Sequence, residues 1–236
     1  MRWFGRLSGL AVLGLGLGLG LLGAATPWQA DAQTGPAVPA PSYNPPDGAP
    51  SETAVLSGGC FWGMQGVYEH VRGVIHVYAG YTGGAADTAQ YALVSTGETG
   101  HAESVQIIFD PKIISYGKIL QIYFTVAADP TELDYQGPDS GTQYRSEIWA
   151  AGPVQAKIAA DYIAQLTKAR VFAAPIVVQV APVMPFYHAE DYHQDFLVRH
   201  PDNPYIVIND IPKIQNLAAD FPKFYRTAPL LARPRN

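Results

Sequence analysis

The chain has 236 residues, of which 48% are hydrophobic and 11% aromatic, so it is long enough and apolar enough to bury a full core. A formal net charge of −5 and a pI near 5.6 argue against a general nucleic-acid binder, which needs a basic face. The single cysteine excludes an intramolecular disulfide, a paired-cysteine redox motif and a multi-cysteine zinc site.

Residues 1–32 have the pattern of a secretory signal peptide. Two arginines precede the uncharged run Leu7–Leu22, and small residues ending in Ala30-Asp31-Ala32 follow it. We therefore expect cleavage after Ala32, with Ala25 as the alternative cut, and an exported protein in the periplasm or outside the cell. An uncleaved membrane anchor is the less favoured interpretation, because repeated glycines weaken a helix in a run that is short for spanning a bilayer.

Two segments flank the predicted folded unit. Gln33–Ser51 contains six prolines and little that could pack, which predicts an extended, poorly ordered Pro-rich linker. Thr227–Asn236 predicts a flexible tail. The folded domain is therefore expected at residues 52–226, and the sequence shows no internal repeat.

Within that domain, strand-like and helix-like patterns alternate. In chain order they predict a strand at Thr53–Ser57, a helix at Cys60–Val71, strands at Val74–Tyr81 and Glu103–Phe109, a helix at Tyr116–Ala127 capped by Ser115, a strand at Arg145–Ala151, a helix at Val154–Lys168, a strand at Pro175–Val183 and a helix at Ala189–Arg199. This alternation predicts an α/β or α+β domain, in which a mixed sheet and helices form a two-layer sandwich.

The lone cysteine lies where a reactive thiolate can form. Cys60 follows Gly58-Gly59 and opens a predicted helix, whose free N–H groups and dipole favour an anion. We therefore expect a lowered thiol pKa and a nucleophile, made accessible by the glycine turn. A buried, inert cysteine is the alternative for a thiol considered alone.

A thiolate of this kind is also used by thiol hydrolases. Such an enzyme needs a histidine base, and His193, within HAEDYHQD, could serve, so amide hydrolysis remains an alternative. His188 and His193 are five residues apart, whereas the two histidines of a HExxH zinc helix are four apart, so a zinc site is poorly supported.

Polar residues in Gly- and Thr-rich segments supply candidate proton donors. Glu103 begins an apolar strand, so burial would raise its pKa and keep it protonated near neutral pH. Tyr91 and Tyr144 lie in segments of similar composition. Taken singly, Glu103 is better interpreted as a solvated strand end, and each tyrosine as a core residue with its hydroxyl group satisfied.

Six motifs together resemble the peptide methionine sulfoxide reductase A family. They are GGCFWG (Gly58–Gly63), AGYTGG (Ala79–Gly84), TGHAE (Thr99–Glu103), DP (Asp129-Pro130), QGPDSGTQYRS (Gln136–Ser146) and AEDYHQD (Ala189–Asp195). The resemblance covers nearly all of residues 53–226. It implies an α/β sandwich related to the split βαβ, ferredoxin-like pattern.

The resemblance implies a reaction and assigns residues to it. In this family a cysteine thiolate, here Cys60, attacks the sulfoxide sulfur of oxidised methionine. Glu103 is implied as the acid that protonates the departing oxygen. Tyr91 and Tyr144 are implied as hydrogen-bond donors to the same oxygen, with Asp139 ordering the site. The products are methionine and a Cys60 sulfenic acid, and the family acts on the S epimer.

The resemblance also implies a substrate pocket. Phe61 and Trp62 are implied as an apolar wall for the S-methyl group, since aromatic surface and donors together recognise a methyl beside a polar sulfoxide. Gly59 and His193 complete the predicted substrate site. We expect no metal and no bound cofactor.

The chain departs from many relatives in lacking a resolving cysteine, because Asn203–Lys213 contains none. The sulfenic acid must then be reduced by an external thiol, such as a thioredoxin-like protein, glutaredoxin with glutathione, or dithiothreitol in vitro. We expect an intermolecular mixed disulfide at Cys60 during turnover. Ala128 and Asp134-Tyr135 also differ from relatives, which affects the expected substrate preference and not the chemistry.

The expected partners are oxidised proteins or peptides, free methionine sulfoxide and a thioredoxin-like reductant, with no nucleic acid. We expect a monomer that repairs oxidised proteins. Two other classes stay open: an exported thiol hydrolase, and a non-catalytic binder of oxidised proteins that tolerates loss of the Cys60 thiol.

Overall fold

The structure is a computed structural model that describes residues 37–46 and 48–232. The predicted signal peptide, residues 1–32, and the last four residues of the predicted tail lie outside the described residues. In the part of the chain that is described, no helix is long and apolar enough to cross a membrane.

A mixed six-stranded sheet forms the centre of the fold. The strands in the described part of the chain are β1 (Glu52–Ser57), β2 (Val74–Thr82), β3 (Ala102–Phe109), β4 (Tyr135–Gln136), β5 (Asp139–Ser140), β6 (Glu147–Ala150), β7 (Gln179–Pro182) and β8 (Tyr187–His188). The sheet order is β7-β6-β1-β3-β2-β8, while β4 and β5 pair separately. Neighbouring strands are antiparallel except β6 and β7, which are parallel.

Helices pack on one face of this sheet. They are α1 (Phe61–Glu69), α2 (Tyr91–Val94), α3 (Tyr116–Ile122), α4 (Pro153–Ala169), α5 (Phe196–Arg199) and α6 (Ile211–Asp220). Along β1 the side chains alternate: Ala54 and Leu56 enter the main core with the buried residues of α1, α3 and α4, whereas Val55 packs on the other face with Ala102 and Trp149. The predicted α/β class, a mixed sheet with helices, is confirmed.

Two predicted helices are shorter than their sequences suggested. Ser115 caps α3 by accepting a hydrogen bond from the Lys118 N–H. The α-helical part ends at Ile122, and a π-helical turn, Tyr123–Ala127, follows it. The helix predicted at Ala189–Arg199 is wrong, because only a 3-10 turn at Asp191–His193 and the short α5 form there. Asp195 separates these two with φ of +56°, a left-handed conformation that a continuous helix cannot contain.

The Pro-rich segment contacts the domain, which differs from the unpacked linker that the sequence predicted. Its backbone carbonyls accept hydrogen bonds from side chains: Pro39 O from the Tyr162 hydroxyl at 2.6 Å, and Val38 O from Gln121 Nε2 at 2.7 Å. Asn44 donates to Ser115 Oγ at 2.8 Å. Residues 38–44 therefore lie against α3 and α4, because long polar side chains on these helices satisfy an extended backbone that lacks strand partners.

The tail predicted to be flexible also makes defined contacts up to the end of the described residues. The Leu230 N–H donates to Glu69 O at 2.9 Å, and the Ala232 N–H donates to a carboxylate oxygen of Asp195 at 2.7 Å. Ala232 is buried. This segment thus connects the end of α1 to the start of α5.

Candidate active site

Cys60 lies between the end of β1 and the first residue of α1, in a turn that only glycine permits. A Cβ on Gly58 would lie 2.7 Å from the Ala128 Cβ, and a Cβ on Gly59 would lie 2.5 Å from the Gln136 Cβ. Gly59 also has φ of +86°, which disfavours any other residue. The predicted glycine turn is confirmed, and it leaves Cys60 partly exposed.

Replacing Gly59 with alanine is expected to lower the free energy of unfolding by about 2–5 kcal/mol, from the left-handed backbone and the overlap with Gln136. Urea unfolding measures this change. Gly137→Ala is the matched control, because Gly137 has φ of +55° but no atom within 4 Å of its added Cβ. Equal losses in the two variants would show that the contact with Gln136 is unimportant.

The first turn of α1 lies next to two acidic side chains. The Phe61 N–H donates to a carboxylate oxygen of Glu103 at 3.1 Å. The Trp62 N–H lowers the pKa of the Cys60 thiol, although the Cys60 side chain makes no capping hydrogen bond to the helix. The carboxyl group and the thiol therefore lie side by side at one helix end.

Glu103 is almost completely buried, with 2% of its surface exposed. Burial raises the pKa of its carboxyl group to about 8; the Phe61 N–H opposes this shift and the charge of Asp139 adds to it. The expectation that Glu103 keeps its proton near neutral pH is confirmed.

The predicted lowering of the Cys60 pKa is wrong. Burial raises the pKa of this thiol well above its ordinary value, and the negative charges of Glu103, Asp210 and Asp139 raise it further. The Trp62 N–H acts in the predicted direction but is outweighed. Cys60 is therefore a protonated thiol at neutral pH, beside a carboxyl group that is also protonated.

Two tyrosine hydroxyl groups complete the polar side of the site. Burial and the charge of Glu103 raise the pKa of both Tyr91 and Tyr144, and the charge of Cys60 raises each of them as well. Both tyrosines therefore lie close to the sulfur and the carboxyl group, and both keep their protons as hydrogen-bond donors. Tyr91 begins α2, and Tyr144 ends the 3-10 turn Thr142–Tyr144.

Asp139 lies in β5 and accepts a hydrogen bond from the Tyr205 hydroxyl group. Its charge contributes to the raised pKa of Cys60 and of Glu103. The structure therefore brings Asp139 to the site, next to a tyrosine from the segment before α6.

Aromatic residues form the apolar side of the site. The Trp62 ring stacks on Phe196 with centroids 3.7 Å apart, and its indole N–H donates to His193 Nδ1 at 3.1 Å. Phe61 is only 1% exposed and packs against Tyr81 and His193, so it lies beneath the surface. Trp62 therefore offers the accessible part of the predicted apolar wall.

Similarity to known proteins agrees with this geometry. The family model described as peptide methionine sulfoxide reductase matches residues 52–224. The chain belongs to the peptide methionine sulfoxide reductase family. Peptide methionine sulfoxide reductase MsrA 2 of Mesorhizobium japonicum is 56% identical over 181 residues, which are 77% of this chain and 93% of that protein. A protein of the same name from Synechocystis sp. is 47% identical over 171 residues, or 72% and 80% of the two chains.

Solved structures of reductase family proteins have a similar fold. Mxr1 from Saccharomyces cerevisiae in reduced form matches with a TM-score of 0.60 and 29% identity, covering 69% of this chain and 92% of that one. Methionine sulfoxide reductase A of Corynebacterium diphtheriae matches with a TM-score of 0.55 and 30% identity, covering 73% and 90%. The chain is therefore an enzyme of an oxidoreductase family.

Three residues of this reductase site were not predicted from sequence. Glu190 accepts the Tyr91 N–H and the Tyr81 hydroxyl, each at 2.9 Å, and so holds the start of α2. Its place in the AEDYHQD motif was a usable signal. Tyr205 and Asp210 lie in Asn203–Lys213, which contains none of the six motifs and no cysteine.

Among the described residues, no group of three or more His, Cys, Asp or Glu side chains could hold a metal ion.

Proposed function

We propose that the protein reduces the S epimer of methionine sulfoxide, free or in peptides, to methionine through the Cys60 thiol. The proposal rests on one observation above all: Cys60, a partly exposed residue, lies beside a buried carboxyl group that keeps its proton up to a pH of about 8. An oxide is a very poor leaving group, so a sulfoxide oxygen needs such an acid close to the attacking sulfur.

The reaction balances with the one proton that Cys60 and Glu103 hold together when the thiolate and the acid are present at the same time. The Cys60 sulfur bonds to the sulfoxide sulfur while Glu103 protonates the sulfoxide oxygen. The substrate sulfur–oxygen bond then breaks, and the oxygen bonds to the Cys60 sulfur while the sulfur–sulfur bond breaks and returns its electron pair to the methionine sulfur. This leaves methionine and a sulfenic acid, which keeps the proton that Glu103 gave up. Methionine sulfur gains two electrons and Cys60 sulfur loses them.

Tyr91 and Tyr144 support this step by donating hydrogen bonds to the oxygen as negative charge develops on it. Trp62 supplies aromatic surface for the S-methyl group on the other side of the sulfoxide. Donors on one side and aromatic surface on the other distinguish the two hands of the sulfoxide, which supports selectivity for one epimer.

The contacts of His193 favour reduction over the thiol hydrolase alternative. A hydrolase needs His193 as a base toward Cys60. Its Nδ1 already accepts the Trp62 indole N–H, and burial lowers the pKa of the ring. His193 instead fixes the orientation of Trp62, and with it the apolar side of the pocket.

Turnover with and without reductant tests the proposed function. Purified protein with dabsyl-methionine S-sulfoxide and no reductant is expected to form one methionine per chain and then stop, because the chain has one cysteine. Dithiothreitol is expected to restore continuous turnover, and the R epimer should remain unchanged. Release of amine from a peptide, or no methionine in either condition, would contradict the proposal.

An external dithiol protein is proposed as the reductant. It is expected to attack the sulfenic acid and form a mixed disulfide at Cys60, with loss of water. A thioredoxin that lacks its second cysteine traps this species, which peptide mass spectrometry assigns to Cys60. The absence of an adduct would exclude a thioredoxin-like protein as the reductant. Failure of glutathione to support turnover would exclude glutathione as well.

We also propose that the protein is exported and repairs oxidised proteins outside the cytoplasm. The signal-like pattern of residues 1–32 supports this, since methionine sulfoxide is a polar lesion in an apolar side chain and exported proteins meet oxidants. Mass spectrometry of the exported protein should give a chain that begins at Gln33, whereas recovery from the cytoplasm alone would contradict export.

A further inference from the structure

A third acidic residue, Asp210, lies against the first turn of α1. It ends the π-helical turn Ile206–Asp210, directly before α6, and none of its surface is exposed. A Cβ on Gly63 would lie 2.1 Å from Asp210 Oδ1 and 3.1 Å from Lys213 Nζ. The absence of a side chain at Gly63 therefore lets this carboxyl group reach the backbone of α1, three residues after Cys60.

The carboxyl group of Asp210 is poorly satisfied for a buried group. Neither of its oxygens has a hydrogen-bond partner of normal geometry among the described residues. Its nearest cation is Lys213, whose Nζ lies 3.4 Å from Oδ1 and whose side chain is 24% exposed. A buried carboxylate with a single, loosely placed cation is costly, so its retention beside a reactive sulfur suggests a role other than stability.

We propose that Asp210, held by Lys213 against the first turn of α1, is a positioning residue that opposes formation of the Cys60 thiolate. The inference rests on the proposed function, because it assigns Asp210 to the same reductase site. The first-turn N–H groups and helix dipole favour a thiolate, while a carboxylate on the same turn disfavours it.

Other groups act on the same sulfur. The charges of Glu103 and Asp139 face Cys60 from β3 and β5, and the hydroxyl groups of Tyr91, Tyr144 and Tyr205 lie nearby. Burial raises the pKa of Asp210 itself to about 6, although Lys213 opposes the shift. Asp210 is therefore largely ionised at neutral pH, whereas Glu103 is largely protonated. Of these two carboxyl groups, Asp210 carries more of the negative charge at pH 7.

The consequence concerns protection of the lone cysteine. Oxidants attack the thiolate and not the thiol, and this chain has no second cysteine to capture an oxidised sulfur. A fixed negative charge beside Cys60 keeps the sulfur protonated and slows such oxidation.

Alkylation of Cys60 by iodoacetamide as a function of pH tests this inference without any sulfoxide. In Asp210→Asn the inflection of the alkylation rate against pH is expected to move down by about half to one pH unit. Alkylation at pH 7 then becomes about three- to tenfold faster. Asp220→Asn is the matched control, because Asp220 is an exposed carboxylate at the end of α6. It should leave the profile unchanged.

Lys213→Met supplies an independent arm if Asp210→Asn fails to fold. Removal of the cation leaves the carboxylate unopposed, so the inflection is expected to rise. The inference would be overturned by an alkylation profile for Asp210→Asn that matches the Asp220→Asn control. It would also be overturned if the inflection of Lys213→Met lay at a lower pH than that of the wild type. Because the assay needs no turnover, failure to reduce sulfoxide with a shifted alkylation profile would reject only the proposed function.

Discussion

Replacing Cys60 with serine is expected to abolish reduction of methionine sulfoxide, with a loss of more than about 10³-fold in rate. A serine hydroxyl group is a much weaker nucleophile toward sulfur than a thiolate, and its oxygen cannot take up the sulfoxide oxygen as a stable acid. The variant contains no cysteine at all. Methionine formation from the S-sulfoxide in the presence of dithiothreitol measures the loss.

The same variant separates the enzyme from a non-catalytic binder. Sulfur and oxygen differ little in size, so Cys60→Ser should keep the fold and the aromatic surface of Trp62, and a similar melting temperature checks this. Binding of an oxidised peptide should then persist while turnover disappears. Retention of more than a few per cent of the wild-type rate would show that another group carries out the reduction.

The main strands were predictable because each is a short run of β-branched and apolar residues bounded by turn residues. Glu103–Phe109, ended by Asp110-Pro111, is an example, and the structure has this strand at Ala102–Phe109. The helix expected at Ala189–Arg199 failed because its conformation depends on distant groups. The Asp195 N–H donates to Gln65, and the Asp195 carboxylate accepts the Ala232 N–H.

The contacts of the Pro-rich segment were unpredictable for a similar reason. Its composition predicts a segment without helix or strand, and residues 37–46 contain neither. The groups that bind this backbone, such as Tyr162 and Gln121, are more than 80 residues away in the chain. Composition describes what a segment does alone, and cannot identify side chains that meet it after folding.

The site shows the same division between local and distant causes. The raised pKa of Glu103 follows from its place at the start of an apolar strand, which the sequence contains. The pKa of Cys60 was predicted from its helix N-terminus alone, and its direction was wrong. Burial of the thiol is the largest cause of its raised pKa, and the charges of Glu103, Asp210 and Asp139, which the sheet and the segment before α6 bring to the sulfur, add to it.

Replacing Glu103 with glutamine is expected to lower the reduction rate by about 10²–10⁴-fold, the usual contribution of a general acid. Glutamine has the same shape and still accepts the Phe61 N–H, but its amide has no proton to transfer at the required acidity. The melting temperature at pH 7 should therefore stay close to that of wild type. A loss below about tenfold would exclude Glu103 as the acid.

The pH profile identifies the role of Glu103 more sharply than the rate does. Productive attack needs the Cys60 thiolate and the Glu103 acid together, a state in which the pair holds one proton. One proton remains between the pKa of Glu103, about 8, and the higher pKa of Cys60. The single-turnover rate should therefore rise with pH through about 8 and fall at more alkaline pH, when the second proton is lost.

In Glu103→Gln the titrating acid of the pair is gone, and only the Cys60 thiol titrates. The remaining rate should rise with pH to a plateau, without the alkaline fall of the wild type. The rise should also occur at lower pH than the wild-type loss of the Cys60 proton, because the largest carboxylate contribution to the raised pKa of Cys60 has been removed. Persistence of the alkaline fall in the variant would place the essential acid on another residue.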